Sequence, residues 1–579
     1  MTLTAADPRS ALLASRRVFA VAFIFSGFIS LLTLTSPLYM MQIYNRVLPH
    51  RSEATLLGLT LLALALLGVM ALLDVVRAQI LVRAGNRLDA ELSGRIAEAM
   101  FAAARTRARG GPEHGFRDLD VLRGFVGGTA LAPFFDAPFA PLFVLLLFLF
   151  HPLLGTVALA GAVVLLMLAA ANDLLTRPNL DAAKGHGAAA LAFLGQGLRN
   201  SETVEAMGMF PDVRRRWAKW RNTMLHRQTI ASDRAGAIMA LSKMIRLWLQ
   251  TAMLGAGAYL AVHDLISPGM IIASSVLMGR ALAPVEQAIQ TWKQALEAHG
   301  AYRRLNTLLR RFPATAATAA AWYRPAGELI VEDLIVAPHE GEAPILQGVS
   351  FTLPPGKVLG IVGPSGAGKS SLARTLVGAW RPRAGTVRLG GTDIHALAPD
   401  ARGAWIGYLP QEVELFEGTV ADNIARLAEP ERVAVLGAVE RAGAHRMITA
   451  LPEGYDTQVG PMDHVLSGGQ RQQIGLARTL YGQPALVVLD EPNAHLDAEG
   501  EMALAEVVTG LRAAGVTVVL ISHSAGIIRQ TDYLLVLMER AVRAFGPTER
   551  LALTPASHGS GPPARASDDA TTAMPRAGA

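Results

Sequence analysis

The chain has 579 residues, of which 51% are hydrophobic and 17% are charged, and its mean hydropathy is +0.33. These values are too apolar for a wholly soluble protein, and the apolar residues are concentrated in the first half, so the composition predicts a membrane half followed by a soluble half. The net charge is +6, but no basic stretch is interleaved with aromatic residues, which argues against nucleic-acid binding. The absence of cysteine excludes disulfides and thiolate metal sites.

The N-terminal half contains the predicted membrane spans. Residues 1–17 are polar, and no Ala-x-Ala cleavage site follows, so we expect a cytoplasmic start and an uncleaved first span. The apolar stretch 129–175 is too long for one crossing of a hydrocarbon core of about 30 Å. It is predicted to fold back at His151-Pro152, its only polar break. The pattern predicts six spans, at residues 18–43, 55–76, two within 129–175, 237–262 and 269–289.

Two long polar excursions, 85–128 and 172–234, separate the spans. Both are rich in arginine, whereas the short turns between spans hold few basic residues. By the positive-inside rule the long excursions and the N-terminus are cytoplasmic, and the soluble half lies on the same side. We expect the first excursion to consist of helices that project into the cytoplasm.

A few ionisable residues lie in or near the predicted spans. Arg280 and Glu286 are six residues apart and fall on different helix faces, so they either line a translocation path or pair with other spans. Lys243 and Arg246 are expected to extend to the cytoplasmic end of the fifth span. Asp136 could cap the start of the third span.

The soluble half contains a glycine-rich loop between an apolar, strand-like run at 358–362 and a helical run. Backbone N–H groups of such a loop turn toward phosphates, Lys369 supplies a cation, and the Ser370 hydroxyl can bind Mg²⁺. A glycine turn without nucleotide is the alternative. The predicted phosphate-binding residues are Gly363, Pro364, Ser365, Gly366, Ala367, Gly368, Lys369, Ser370 and Ser371.

Three further motifs supply polar groups for ATP hydrolysis. Asp490 ends an apolar strand near the phosphates and is predicted to hold Mg²⁺, and Glu491 is placed to polarise the attacking water. Gln411 is either a solvated loop residue or a contact to Mg²⁺ and the water. His523 is either structural or, because it follows a second apolar run, a contact to the γ-phosphate.

A glycine pair also precedes a helix at residues 471–480. The N–H groups and the positive dipole end of this helix suit a γ-phosphate. The predicted nucleotide-binding residues here are Ser467, Gly468, Gly469 and Gln470.

In chain order these five motifs are the phosphate loop, the Gln411 loop, the stretch from Leu466 to Gln470, the strand end at Asp490 and Glu491, and His523. This ordered set resembles the nucleotide-binding domain of ABC ATPases, over residues 328–548. Kinases and small GTPases share the phosphate loop but lack the Leu466 to Gln470 stretch. The resemblance implies that this signature stretch faces the ATP bound by a second copy, so two domains enclose two nucleotides. One copy per chain therefore implies a homodimer that uses ATP and Mg²⁺.

The membrane half resembles the type I secretion exporters in the stretches 36–49, 117–123, 136–141 and 279–287. The match is to the alkaline-protease type, which has no N-terminal peptidase-like domain. The resemblance implies export of an unfolded polypeptide with a C-terminal signal. It also implies a periplasmic membrane-fusion adaptor and a TolC-like outer-membrane channel as partners. Asn45 departs from the family, which usually has Asp there.

The sequence thus predicts an all-α six-helix ABC exporter domain in the inner membrane, in contact with lipid, followed by an α/β P-loop nucleotide-binding domain. Competing functions are an exporter of lipid or small molecules with this architecture, and a non-transporting ATPase. The predicted segments are a cytoplasmic N-terminus (1–17), the exporter domain (18–312), a linker (313–327), the nucleotide-binding domain (328–548) and a disordered tail (549–579).

Overall fold

The computed structural model describes residues 16–105, 115–313, 325, 327–337, 343–460, 466–494 and 498–552. The chain divides into two compact units, one helical and one of mixed α/β structure, which are described separately. The predicted N-terminal segment, linker and tail lie wholly or mostly outside the described residues and stay predictions.

The helical unit consists of long helices joined by short turns. Its helices are α1 (Arg16–Leu32), α2 (Thr35–Gln42), a π-helix (Ile43–Val47), α3 (Leu48–His50), α4 (Glu53–Arg105), α5 (Gly115–Gly127), α6 (Ala132–Asp136), a 3₁₀ turn (Ala137–Phe139), α7 (Ala140–Phe150), α8 (Pro152–Arg199), α9 (Ser201–Ala206), α10 (Phe210–Val262) and α11 (Pro268–Arg311).

Five helical stretches among the described residues are long and apolar enough to cross a membrane: 16–50, α4, 132–150, α8 and α11. The predicted fifth span lies in α10, which is not among them, because Lys243, Arg246 and Gln250 lower its hydropathy. That span stays a prediction. Helix α4 has 53 residues and is about 80 Å long, more than twice the thickness of a hydrocarbon core. The first polar excursion therefore begins as a direct extension of a membrane helix.

The predicted fold-back at His151-Pro152 is present. Helix α7 ends at Phe150, and His151 is extended, with φ −166° and ψ 139°. The His151 Nδ1 atom accepts a hydrogen bond from the Leu153 N–H at 3.1 Å and so caps α8, which begins with Pro152. Leu147 and Leu154, on the two sides of the turn, are fully buried in the same apolar cluster.

The first predicted span is divided rather than continuous. The Thr33 hydroxyl donates to the Ser30 carbonyl at 2.7 Å, and Pro37 lacks an N–H for the next turn. Both features weaken the helical ladder between α1 and α2. A π-helix follows, and its Asn45 contacts the start of α11: Nδ2 donates to Ser267 Oγ at 2.8 Å and Oδ1 accepts from the Gly269 N–H at 2.9 Å. The neutral amide at this position therefore caps the last long helix.

An ion pair joins α10 and α11. Arg246 Nε lies 3.0 Å from Glu286 Oε1, and both side chains are partly buried. A carboxylate on the neighbouring helix thus holds the Arg246 guanidinium, and the expectation that Arg246 extends to the cytoplasmic end of the fifth span stays a prediction. Two alternatives were open for Glu286, and the structure shows the second, in which Glu286 pairs with a residue of another predicted span. Arg280 is exposed, and no ion pair or hydrogen bond of its side chain is found within the described part of the chain.

A second ionic cluster surrounds Arg77, which is buried. Its guanidinium donates to Asp136 at 2.6 Å, to Asp74 at 2.7 Å and to Ser26 Oγ at 2.7 Å. Asp136 makes no capping hydrogen bond to the turn that follows it. The expected helix cap was wrong, since Arg77 on α4 binds this carboxylate instead.

The α/β unit begins with β1 (Leu329–Val336). Its further strands are β2 (Leu346–Leu353), β3 (Val358–Val362), β4 (Ala384–Leu389), β5 (Thr392–Asp393), β6 (Ile406–Leu409), β7 (Gly418–Thr419), β8 (Gln458–Val459), β9 (Leu486–Asp490), β10 (Thr517–Ile521), β11 (Tyr533–Met538) and β12 (Ala541–Pro547). Its helices are α12 (Lys369–Leu376), α13 (Pro399–Trp405), α14 (Val420–Ile424), α15 (Arg432–Arg441), α16 (His445–Thr449), a 3₁₀ turn (Gly454–Asp456), α17 (Gly468–Leu480), α18 (Ala498–Ala513), α19 (Ala525–Ile528) and α20 (Thr548–Ala552).

The central sheet has six strands in the order β12-β11-β3-β10-β9-β6. All neighbouring pairs are parallel except β11 with β12. Apolar clusters cover both of its faces, and every residue of β9 and β10 is buried. A four-stranded antiparallel sheet, β2-β1-β4-β5, completes the fold of this unit together with the short β7-β8 pair. Consecutive parallel strands bring their carboxyl ends to one edge of the central sheet.

Candidate active site

Four loops leave the same edge of the central sheet. The phosphate loop follows β3, His523 follows β10, Glu491 follows β9, and Gln411 follows β6. Since these four strands are adjacent and parallel, side chains that are far apart in sequence meet there.

The phosphate loop ends at the first turn of α12. Gly366 and Gly368 have φ values of 80° and 96°, in the left-handed region that glycine adopts without strain. A Cβ on Gly368 would also lie 2.6 Å from the Leu346 side chain. The Lys369 ammonium donates to the carbonyls of Gly363 at 2.7 Å and Pro364 at 3.1 Å, so it lies across the loop. The unpaired N–H groups in the first turn of α12 lie at the end of this loop and suit a phosphate.

Asp490 is fully buried at the end of β9 and faces the start of α12. Its Oδ1 accepts a hydrogen bond from Ser370 Oγ at 3.1 Å, whereas its buried Oδ2 has no hydrogen-bond partner within the described residues. Burial raises the pKa of Asp490 and the charge of Glu491 adds to this, although Ser370, Arg374 and Lys369 oppose the shift. A buried carboxylate oxygen without a partner, beside a hydroxyl, fits the oxygen ligands that Mg²⁺ prefers.

Glu491 is the next residue and turns away from Asp490. Its φ of 50° is in the left-handed region, where a non-glycine residue costs about 1–3 kcal/mol. Its Oε2 accepts a hydrogen bond from Gln411 Nε2 at 2.8 Å, and its Oε1 lies 3.6 Å from His523 Nε2. The structure thus brings together the three side chains that the sequence assigned to catalysis.

The signature residues form a capped helix start. The Ser467 hydroxyl accepts from the Gln470 N–H at 3.2 Å, and the Gln470 side chain accepts from the Ser467 N–H at 2.8 Å, which makes a capping box. Gly468 and Gly469 form the first turn of α17. No hydrogen bond joins these four residues to the phosphate loop in the parts of the chain that are described. Within the described residues, the structure therefore does not link the signature to the phosphate loop of the same chain by a hydrogen bond.

A cavity of about 260 Å³ separates the Gln411 loop from the start of α17. It is lined by the residues Gln411, Glu412, Val413, Glu414, Gly468, Arg471 and Gln472.

Two further side chains act on residues of this site, although the sequence analysis did not single them out. Arg374, on α12, lies over the Trp380 ring at 5.2 Å and acts electrostatically on Asp490. Gln472, on α17, is buried and donates to the carbonyls of Glu491 and Pro492. Both contacts depend on the packing of a helix against the sheet.

Comparison with known proteins agrees with this geometry. Residues 346–494 match the family model of the ABC transporter, and residues 19–285 match that of the ABC transporter transmembrane region. The type I secretion system ATP-binding protein PrsD of Rhizobium meliloti is 39% identical over 548 residues, which are 94% of each chain. The chain belongs to the type I secretion ABC transporters. This transporter is therefore a multi-pass membrane protein whose ATPase domain binds nucleotide and hydrolyses it for transport.

More distant relatives extend the comparison. The alpha-hemolysin translocation ATP-binding protein HlyB of Escherichia coli is 27% identical and covers 94% of the transporter and 78% of its own length. The structure of a bacterial Atm1-family ABC exporter with ATP bound has a TM-score of 0.78 at 20% identity, over 93% of the transporter and 96% of that chain. This likeness confirms the predicted fold, a helical membrane domain followed by an α/β nucleotide-binding domain.

Proposed function

We propose that the transporter exports an unfolded polypeptide with a C-terminal secretion signal, as the inner-membrane motor of a type I secretion system. The observation that carries this proposal is the 39% identity to PrsD over 94% of both chains. The toxin translocation proteins among the relatives, such as HlyB, support a polypeptide cargo.

The working unit is a homodimer with two composite nucleotide sites. Each site combines the phosphate loop of one copy with Ser467 to Gln470 of the other copy. Two observations support this arrangement: no hydrogen bond joins these two elements within the described part of one chain, and the capped start of α17 carries N–H groups that suit a γ-phosphate.

Hydrolysis uses the side chains at the carboxyl edge of the sheet. Lys369 and the loop N–H groups would bind the phosphates, and Asp490, Ser370 and Gln411 would hold Mg²⁺. When bound, Mg²⁺ neutralises charge on the β- and γ-phosphates. The Glu491 carboxylate orients the attacking water and accepts its proton, while His523 contacts the γ-phosphate.

The membrane topology follows from the charge pattern. The N-terminus, the two long excursions and the ATPase domain are cytoplasmic. A periplasmic adaptor and a TolC-like outer-membrane channel complete the export path. The exact limits of the domains stay as predicted from the sequence.

Gene deletion tests the proposed cargo class. Culture supernatants are compared between the wild type, a deletion strain, and deletion strains that carry the wild-type gene or Glu491→Gln. We expect one or more polypeptides to disappear on deletion and to return only with the wild-type gene. An unchanged set of secreted polypeptides, with ATP hydrolysis stimulated by lipid or a small molecule, would favour the competing exporter function instead.

A further inference from the structure

The buried side chain of Gln472 connects the signature helix α17 to the strand end that carries Glu491. Gln472 is 4% exposed and lies in the second turn of α17. Its Nε2 donates to the carbonyl of Pro492 and, at 3.4 Å, to the carbonyl of Glu491. Because carbonyl oxygens only accept hydrogen bonds, these contacts fix which end of the amide faces the turn.

The backbone of Glu491 needs such support. Its left-handed φ of 50° is held by a hydrogen bond from its N–H to the Ile521 carbonyl at 3.0 Å. Its carbonyl also accepts from the Ala494 N–H at 3.2 Å. A strained residue persists only where its surroundings determine its conformation, and the direction of its side chain depends on that conformation. Gln472 provides the side-chain part of this support.

We propose that Gln472 is a positioning residue that holds the Glu491–Pro492 turn and thereby ties the orientation of the Glu491 carboxylate to the signature helix. The inference rests on the proposed function, in which Glu491 acts on the attacking water. Within the described residues the Gln472 side chain makes no hydrogen bond to Gln411 or His523, and its hydrogen bonds go to the carbonyls of Glu491 and Pro492, so we expect its effect on hydrolysis to pass through Glu491.

The capped helix α17 connects Ser467 to Gln472 and so bears on the proposed dimer. The capping box fixes its first turn, and Gln472 lies five residues after Ser467, about 7.5 Å along the helix axis. In the composite dimer, Ser467 faces the nucleotide of the second copy, whereas Glu491 serves the nucleotide of its own copy. A shift of α17 at one nucleotide site therefore moves the turn that orients the carboxylate at the other.

The first experiment replaces the amide and keeps the side-chain volume. In purified full-length transporter in lipid vesicles, Gln472→Met should lower kcat by roughly 10- to 100-fold, because misplacing a reacting group has effects of this size. ATP affinity should be unchanged, since Gln472 does not line the phosphate loop. The matched control is Gln473→Met: this neighbour is half-buried and makes no side-chain hydrogen bond within the described residues. Its kcat should stay at the wild-type value.

The deciding experiment combines Gln472→Met with Glu491→Gln and measures single-turnover hydrolysis. If Gln472 acts through Glu491, the double variant should be no slower than Glu491→Gln alone. A merely structural role would lower the rate by the same factor in both backgrounds, and that result would overturn this inference without affecting the proposed function. Near-normal hydrolysis by Glu491→Gln would instead remove the role proposed for Glu491, and the inference with it.

Discussion

The Gln411 side chain donates a hydrogen bond to the Glu491 carboxylate across 2.8 Å, although 80 residues separate them in the sequence. The contact exists because β6 and β9 are adjacent parallel strands whose following residues lie at one edge. It leaves the second oxygen of Glu491 directed toward His523. The carboxylate is thus held between Gln411 and His523 at the carboxyl edge of the sheet.

We expect Glu491→Gln to bind ATP but to lower kcat by about 100-fold or more, because a positioned general base contributes this much. Nucleotide binding and steady-state hydrolysis by purified transporter check this. Glu506→Gln, on the exposed face of α18, serves as the matched control and should hydrolyse ATP normally. Hydrolysis by Glu491→Gln at the control rate would exclude the assigned role.

The burial of the Asp490 carboxyl leads us to expect that the stability of the ATPase domain depends on pH. Burial raises the pKa of this carboxyl, so the folded chain binds a proton at a pH where the unfolded chain has released it. The free energy of unfolding therefore falls as the pH rises from the ordinary carboxyl pKa of about 4 through the raised pKa of Asp490, because the buried carboxyl loses its proton over this range. We expect nucleotide-free Asp490→Asn to melt at a higher temperature than the wild type at pH 7. The difference should shrink in acid.

The same substitution removes a predicted Mg²⁺ ligand. Hydrolysis by Asp490→Asn should fall by about 100-fold or more, since metal stabilisation of transition-state charge is worth several kcal/mol. Melting curves with and without Mg²⁺ and ATP separate the two effects. A variant that is less stable than the wild type at pH 7 without nucleotide would contradict the assigned cost of burying this charge.

Arg426 is predicted to stabilise the end of the signature helix. Its guanidinium donates to the carbonyls of Arg478, Thr479 and Tyr481, which are acceptors at the C-terminus of α17. It also donates to the carbonyl of Gly403 in α13. Arg426→Met leaves several of these carbonyls without a donor, at a cost of roughly 3 kcal/mol. The unfolding midpoint of the ATPase domain should fall by about 6 °C or more.

Arg441 offers a graded control for this prediction, because it donates to one helix-end carbonyl, that of Leu480, at 2.9 Å. Arg441→Met should lower the midpoint by a smaller amount, corresponding to about 1 kcal/mol. Equal losses for Arg426→Met and Arg441→Met would mean that the number of satisfied carbonyls does not determine stability here.

The Arg246–Glu286 pair predicts a non-additive mutant cycle. Arg246→Met or Glu286→Met alone leaves one partly buried charge without its partner and should cost about 1–3 kcal/mol. The double variant leaves no charge and should recover most of that loss. Apparent melting temperatures of the transporter in detergent measure all four corners of the cycle. Additive losses would indicate that the two side chains act independently.

The sequence predicted the parts of the site that local patterns determine. Asp490 and Glu491 stand at the end of one apolar run and His523 follows another, so these three residues could be singled out as candidates before the strand order was known. The fold-back at His151 was also predictable from a local pattern, since a polar residue and a proline are adjacent within an otherwise apolar stretch. Whether Gln411 and His523 were functional or merely structural was left open, and their contacts with Glu491 favour the functional alternative.

Long-range pairs could not be predicted in this way. Arg77 with Asp136 and Asp118 with Arg304 are 59 and 186 residues apart, and no periodicity links such partners. The expected helix cap at Asp136 was wrong because it treated this charge without its long-range partner. Gln472 was missed because its role depends on how α17 packs against the end of β9.

The central claim is that each nucleotide site is built from two copies, and mixed dimers test it most directly. Lys369→Ala disables the phosphate loop and Ser467→Arg disables the signature, so each variant alone should be inactive. In a dimer of one Lys369→Ala copy and one Ser467→Arg copy, one site combines two intact halves, and ATP hydrolysis should return. If the co-assembled mixture stays as inactive as the separate variants, both elements act within one chain, which would contradict the composite-site account.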